Sequence, residues 1–204
     1  MKALDPDTIN WSGENGLVPA TVQNAKTGTV LMTGYMNREA LALTVSTGKV
    51  TFWSRSRKEL WTKGETSGNY LTLQGLYADC DNDAVLVLAI PEGPTCHLGT
   101  ESCYGDARPA SGFIADLDRI VKARQSADHD GSYTRSLFDA GTKRIAQKVG
   151  EEGVETALAA IASEDEEFLG EAADLIYHLL VLLHSRGLAL EDVSAVLKHR
   201  HLSN

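Results

Sequence analysis

No stretch of this chain is apolar for long enough to cross a bilayer, which takes about 20 residues. The longest run, Leu179 to Leu183 after Leu175 and Ile176, is broken by His178. Positive charge is also short: 19 Lys and Arg stand against 28 Asp and Glu. That balance argues against a nucleic-acid footprint or a basic membrane patch. Cysteine is sparse and odd in number, three in all, and no secretory leader precedes it. The expectation is a reducing cytoplasm rather than a disulfide scaffold. No internal repeat is visible. Proline and tryptophan vanish after Pro109, although five prolines and three tryptophans lie at or before it.

What is present divides at that point. Split after residue 104, the first part carries 8 basic and 11 acidic groups and the second 11 and 17. The acidic excess thus concentrates where divalent cations are the expected partners. The segment Gly105-Asp-Ala-Arg-Pro-Ala-Ser-Gly112 reads as the linker, and the domains are taken as 1–108 and 109–204. The fold expected is an α+β two-domain chain: a sheet-rich α+β metal-binding domain, then an all-α helical bundle.

In the first domain, Val18 to Gln23 and Thr29 to Met36 are β-rich runs around a Lys26-Thr-Gly28 turn. Asn37 and Gly48 read as the two caps of a helix over Arg38 to Thr47. Strand signals return at Val50 to Ser54, Tyr70 to Tyr77 and Ala84 to Ile90. The tract Trp61 to Asn69 is a polar loop freed by Gly64 and Gly68. With Arg55, Arg57, Lys63 and Ser67 it could cradle a phosphate, or be a plain solvated connection.

The chemistry of this domain is expected between Asp79 and Cys103. Cys80, Cys96 and Cys103 are soft ligands suited to zinc, and three protein ligands leave the fourth position open. Asp79, Asp81 and Asp83 are hard ligands suited to magnesium. Read as a strand, this stretch sends its alternate carboxylates to one face and Cys80 to the other. His97 is a candidate proton carrier. The alternative is three free thiols packed as small hydrophobes.

The second domain reads as helices throughout. Phe113, Leu117, Ile120 and Val121 form one apolar face, and Tyr133 to Ala140 forms a short helix ending at Gly141. Thr142 reads as the cap of a helix with Ile145, Val149, Val154, Leu158 and Ile161 at helical spacing. Ser163 with Glu166 reads as a capping box for a helix reaching Arg186. A last helix covers Leu190 to His201, and short loops make a bundle. Glu151 and Glu155 stack four residues apart, with Glu152 within about 60–100° of both. Glu171 and Asp174 share a face of the next helix. Five carboxylates at one place would hold magnesium against a polyphosphate; a solvated acidic surface is the alternative. His178 and His184, in an apolar helix, read as satisfied core or edge residues.

The tracts Thr51-Phe-Trp-Ser-Arg-Ser-Arg-Lys58, Lys63-Gly-Glu-Thr-Ser-Gly-Asn69, Asp79-Cys-Asp-Asn-Asp83 and Gly93-Pro-Thr-Cys-His97 resemble phosphoribosyl-AMP cyclohydrolase of histidine biosynthesis. Lys148-Val-Gly-Glu-Glu-Gly-Val-Glu155 and Glu171-Ala-Ala-Asp-Leu-Ile-Tyr-His178 resemble phosphoribosyl-ATP pyrophosphohydrolase, a motif shared with all-α nucleotide pyrophosphohydrolases. The two cover nearly the whole chain, in the order of the bifunctional enzyme. Gly153, where the pattern has Ala, and Leu98 after the histidine depart from it.

The resemblance implies two consecutive hydrolyses of small-molecule nucleotides. Magnesium held by Glu151, Glu152, Glu155, Glu171 and Asp174 would serve cleavage of phosphoribosyl-ATP, with Glu152 and Lys148 catalytic. Lys143, Arg144 and Lys148 are our candidates for neutralising the phosphates. A zinc-bound hydroxide held by Cys80, Cys96 and Cys103 would open the adenine ring of phosphoribosyl-AMP, with His97 carrying the proton. It also implies a cytoplasmic homodimer in which Cys80 of one subunit joins Cys96 and Cys103 of the other. The rival reading is a zinc-stabilised binding module fused to a pyrophosphohydrolase with only one live site.

Overall fold

The computed structural model describes residues 4–12, 14–107, 110–126 and 131–202. Two compact units form, 1–112 and 113–204. Of the expected linker, Arg108 and Pro109 lie outside the described residues.

The first unit is built on a four-stranded sheet in the order β2-β1-β6-β5. Its strands are β1 (Val18–Asn24), β2 (Val30–Met36), β5 (Leu71–Ala78) and β6 (Val85–Pro91). Val18, Ala20, Val22 and Asn24 of β1 point alternately inward, the period of a half-buried strand. Pro19, which has no N–H to give, sits one residue before the parallel ladder to β6 begins at Ala20–Val85. That is where a central strand tolerates proline. The β1–β2 turn closes as its residues dictate, with Asn24 Oδ1 accepting from the Lys26 N–H at 3.0 Å. Gly28 takes a φ of 74° there.

Helix α1 (Arg38–Thr47) is bounded as expected. Asn37 Oδ1 accepts from the Ala40 N–H at 2.8 Å, and Gly48 takes the left-handed conformation. Its Ala40, Leu41 and Thr44 are buried, and Ala40 and Leu41 join Phe52, Leu71 and Val87 in one core. A strand not anticipated, β4 (Glu59–Thr62), pairs antiparallel with β3 (Thr51–Ser54). Arg55 and Arg57 therefore ride on a hairpin turn.

The second unit is helical: α2 (Phe113–Ser126), α3 (Tyr133–Ala140), α4 (Thr142–Ala162), α5 (Asp165–Ser185) and α6 (Leu190–Leu202). Two expected caps are corrected. Thr142 is the first helical residue and Gly141 precedes it as N-cap without a side-chain bond. Ser163 is the C-cap of α4, while Glu164 stands at the start of α5. The loop between α4 and α5 is too short to give Ser163 to both.

The core of this unit is small, Val121, Leu137, Ile145 and Val181 with Leu117, Phe138, Tyr177 and Leu182 packed against it. Val154, Leu158 and Ile161 do share a face, but that face is uncovered, with Ile161 88% exposed. Leu169, Ile176 and Leu179 of α5 are exposed too. The expectation about membrane length also needs correction. Taken whole, α5 is 21 residues long and apolar enough to cross a membrane by length and composition alone. It is the helix that carries Glu171 and Asp174.

Candidate active sites

In the sheet unit the loop from Gly93 to Cys103 folds back on β2. Ser102 Oγ donates to the Val30 carbonyl at 2.7 Å, and the Cys103 N–H donates to the Leu31 carbonyl at 2.8 Å. At the loop's start Gly93 lets Asn69 approach closely, since a Cβ there would lie 2.4 Å from Asn69 Oδ1 and that side chain would have to move. This docking brings Cys96 and Cys103 together. The Leu98 N–H, and then other donors around the thiol, hold the Cys96 pKa below the usual thiol value. Burial, and then the charge of Cys96, push Cys103 the other way. A shared cation resolves that conflict, because both sulfurs can then be thiolates.

Lys63, expected with the arginines of the phosphate loop, is only 8% exposed. Its Nζ donates to the Asn69 carbonyl at 3.3 Å. Burial lowers its pKa and the charges of Cys103 and Cys96 raise it, so it lies beside the thiols. Arg55 stacks on Tyr35, 3.9 Å from the ring centroid. Arg57 pairs with Glu59 at 3.2 Å, and Ser67 Oγ accepts from the Asn69 N–H at 3.3 Å. His97 is exposed, its Nδ1 3.9 Å from Cys96 Sγ.

Cys80 is exposed and stands apart from the other two. Among the described residues, no cluster of three possible ligands contains a cysteine. The carboxylates near it do converge, each of Asp79, Asp81 and Asp83 offering an oxygen within 4.8 Å of the others. They do so on a turn and not by strand alternation, with Asn82 at a φ of 61°. Asp79 Oδ1 closes the turn by accepting from the Asp83 and Ala84 N–H groups, at 3.0 and 3.1 Å. The Ala84 N–H above all lowers the Asp79 pKa. Asp83 is raised, chiefly by the charge of Asp81.

In the helical unit Glu152, Glu155 and Glu171 each offer a carboxylate oxygen within 4.8 Å of one another. Ile145, Glu152 and Ala159 are the buried residues of α4, seven apart, so Glu152 lies on the seam. Lys148 Nζ reaches Glu152 Oε1 at 2.6 Å and Glu151 at 3.2 Å. The bond to Glu152 raises the Lys148 pKa well above its ordinary value. Glu151 faces Arg144 and Gln147, at 3.2 and 2.8 Å; Lys148 first of all lowers its pKa. It is therefore engaged by cations at the start of α4, outside the three-carboxylate cluster. Asp174 is one turn beyond Glu171 and acts on it by charge. Lys143 is exposed.

Burial raises the Glu171 pKa, followed by the charges of Glu155 and Glu152. The folded state thus binds a proton that the unfolded chain releases, and stability falls as pH rises through that window. Above the raised value the penalty stays in full. Metal-free Glu171→Gln is expected to melt no lower than the parent at neutral pH, and slightly higher. Magnesium should raise the parent's helical transition by several degrees and leave the variant's unmoved. Calorimetry with and without magnesium checks this. A metal-free variant clearly less stable than the parent would mean that the cluster is not repulsive.

Residues 32–105 match the phosphoribosyl-AMP cyclohydrolase family. Residues 114–201 match the phosphoribosyl-ATP pyrophosphohydrolase family. The chain is 54% identical over 200 residues to the histidine biosynthesis bifunctional protein HisIE of Photobacterium profundum, covering 95% of this chain and 97% of that one. The HisIE protein of Escherichia coli is 55% identical over 95% of both chains. That of Vibrio parahaemolyticus is 56% identical over 96% of this chain and 94% of its own. The chain belongs to this bifunctional family.

The family match assigns one domain type to each unit, and the ligand sets differ: thiols beside a carboxylate cluster in the sheet unit, a carboxylate cluster in the helical one. The donor chemistry fits zinc in the first and magnesium in the second. Of the two departures from the family pattern, Gly153 is not required by packing. An added methyl would meet Leu175 Cδ1 at 3.9 Å, an ordinary contact. Sequence reasoning missed Lys63 as a neighbour of the thiols. It also gave no role to His178, which the structure sets against Glu152; the spacing of His178 one turn after Asp174 was the available signal.

Proposed function

We propose that the chain is a bifunctional hydrolase carrying out two consecutive steps of histidine biosynthesis. Residues 109–204 hydrolyse phosphoribosyl-ATP to phosphoribosyl-AMP and pyrophosphate. Residues 1–108 then open the adenine ring of phosphoribosyl-AMP by adding water at C6. One observation carries this reading: a thiol pair in the sheet unit and an all-oxygen cluster in the helical unit, each within its matching family domain.

In the helical unit Glu152, Glu155 and Glu171 would hold magnesium, with Asp174 one turn away and Glu151 at the margin. Magnesium there supplies positive charge against a polyphosphate. Lys148 pins Glu152, as one oxygen is tied to its ammonium. Arg144 and Lys143, at the start of α4, are the cations for the phosphates.

In the sheet unit Cys96 and Cys103 would hold zinc together with Cys80 of a second subunit. Zinc supplies the acidity that makes water nucleophilic near neutral pH. Lys63 offsets the negative charge of the thiolates. His97 is the proton carrier for the ring nitrogen that leaves C6. Asp79, Asp81 and Asp83 would hold a magnesium ion, and Arg55, Arg57 and Ser67 are the contacts for the substrate phosphate.

The assembly is a homodimer. The exposed apolar faces of α4 and α5 need a cover, and a second copy supplies it through a two-fold axis. Three free thiols fit a reducing cytoplasm, where we place the enzyme. The test is a single assay on phosphoribosyl-ATP that follows pyrophosphate release and ring opening separately, with and without a zinc chelator. Both products are expected without it, and pyrophosphate release alone with it. No turnover of either nucleotide would leave a binding module instead.

A further inference from the structure

We infer that His178 is a positioning residue for the pyrophosphohydrolase site, and that Tyr133 locks it in place. The inference rests on the magnesium reading of that site. His178 is 4% exposed, one turn after Asp174 on α5, and faces Glu152, itself 4% exposed. Its Nδ1 lies 2.9 Å from the Asp174 carbonyl oxygen and 3.6 Å from Glu152 Oε1. A carbonyl oxygen only accepts, so the ring proton is on Nδ1. In the neutral ring Nε2 is then the acceptor for the Tyr133 hydroxyl, 3.1 Å away. The phenol thereby holds the tautomer that points an N–H at Asp174 and Glu152.

The consequence is an asymmetric carboxylate. Lys148 and His178 both approach the same oxygen of Glu152, Oε1. With Oε1 engaged by two protein nitrogens, Oε2 is the oxygen we assign to the cation. Tyr133 is held for this task from two sides, edge-on to His178 at 6.1 Å and stacked with Tyr177 at 6.3 Å. Tyr177 is in turn 2.8 Å from Thr134 Oγ1. Outer partners that orient a metal ligand typically matter about 10–100-fold in affinity.

The test is magnesium titration by calorimetry on the full-length protein, with Glu152→Gln as the reference lacking this site. His178→Leu, which removes the N–H, is expected to bind magnesium at this site about ten-fold or more weakly. His178→Asn, whose amide can replace the Nδ1–H, should stay within a few-fold of the parent. Tyr133→Phe keeps the ring and loses only the lock, and should fall between them. Metal-free melting of Tyr133→Phe should match the parent. Parent-like affinity in His178→Leu, or equal loss in His178→Asn and His178→Leu, overturns the inference. If His178→Leu does not fold, Tyr133→Phe decides alone, and unchanged affinity there overturns it. A parent whose magnesium binding is insensitive to Glu152→Gln would instead sink the magnesium site itself.

Discussion

Replacing Cys103 by serine is expected to abolish ring opening of phosphoribosyl-AMP while pyrophosphate release from phosphoribosyl-ATP continues at the parent rate. Cys96→Ser should do the same. The loss follows from the chemistry of the ligand set: a hydroxyl is a hard donor that stays protonated, so two soft ligands become one within the chain. Losing a metal worth several kcal/mol of charge stabilisation costs about a thousand-fold in rate or more. Glu152→Gln should produce the mirror image. It removes charge from the cluster shared with Glu155 and Glu171, and added phosphoribosyl-AMP should still be converted. The assignment of each activity to its own unit depends on this separation. If either substitution ends both activities in a protein that is still folded, two independent sites cannot be the explanation.

How far the fold could be read from sequence depended on whether local chemistry decided the conformation. Helix α1 was legible at both ends because Asn37 and Gly48 each satisfy backbone groups that the helix itself leaves open. Strand β4 was not. Glu59-Leu-Trp-Thr62 is four residues long beside a polar loop, and its extended form comes from pairing with β3, which sequence spacing does not encode. The carboxylates from Asp79 to Asp83 were expected together for the wrong reason. They meet because a turn closed by Asp79 gathers them, and Asn82 adopts the left-handed conformation such a turn requires.

The helical site shows the same boundary between local and tertiary information. Spacing put Glu151, Glu152 and Glu155 within reach of one face, and could not choose among them. The choice is made by the seam against α5, whose α4 residues Ile145, Glu152 and Ala159 are buried. Glu151 lies beside that seam and turns to Arg144. Val154, Leu158 and Ile161 were correctly periodic, yet the face they form is exposed. Periodicity reports that a face is apolar, and not what covers it.

A mixture of two inactive proteins is expected to regain ring opening. In one chain Cys96 and Cys103 are neighbours, whereas Cys80 is exposed on the β5–β6 turn and joins no ligand cluster among the described residues. On the proposed reading, a zinc site with three thiolates takes Cys80 from a second copy. A two-fold axis makes two such sites, each using both chains. Cys80→Ser alone and Cys96→Ser alone should each lack ring opening. In a mixed dimer, one site combines the damaged Cys80 with the damaged Cys96. The other combines an intact Cys80 with an intact Cys96 and Cys103. Random pairing on co-expression makes half the dimers mixed, and half the sites in those work. Roughly a quarter of the parent's ring-opening activity should return, measured on phosphoribosyl-AMP with the two chains carrying different tags. Pyrophosphate release should be unaffected in all three preparations. If each zinc were bound by the cysteines of one chain, every site in the mixture would carry a serine, and co-expression would restore nothing.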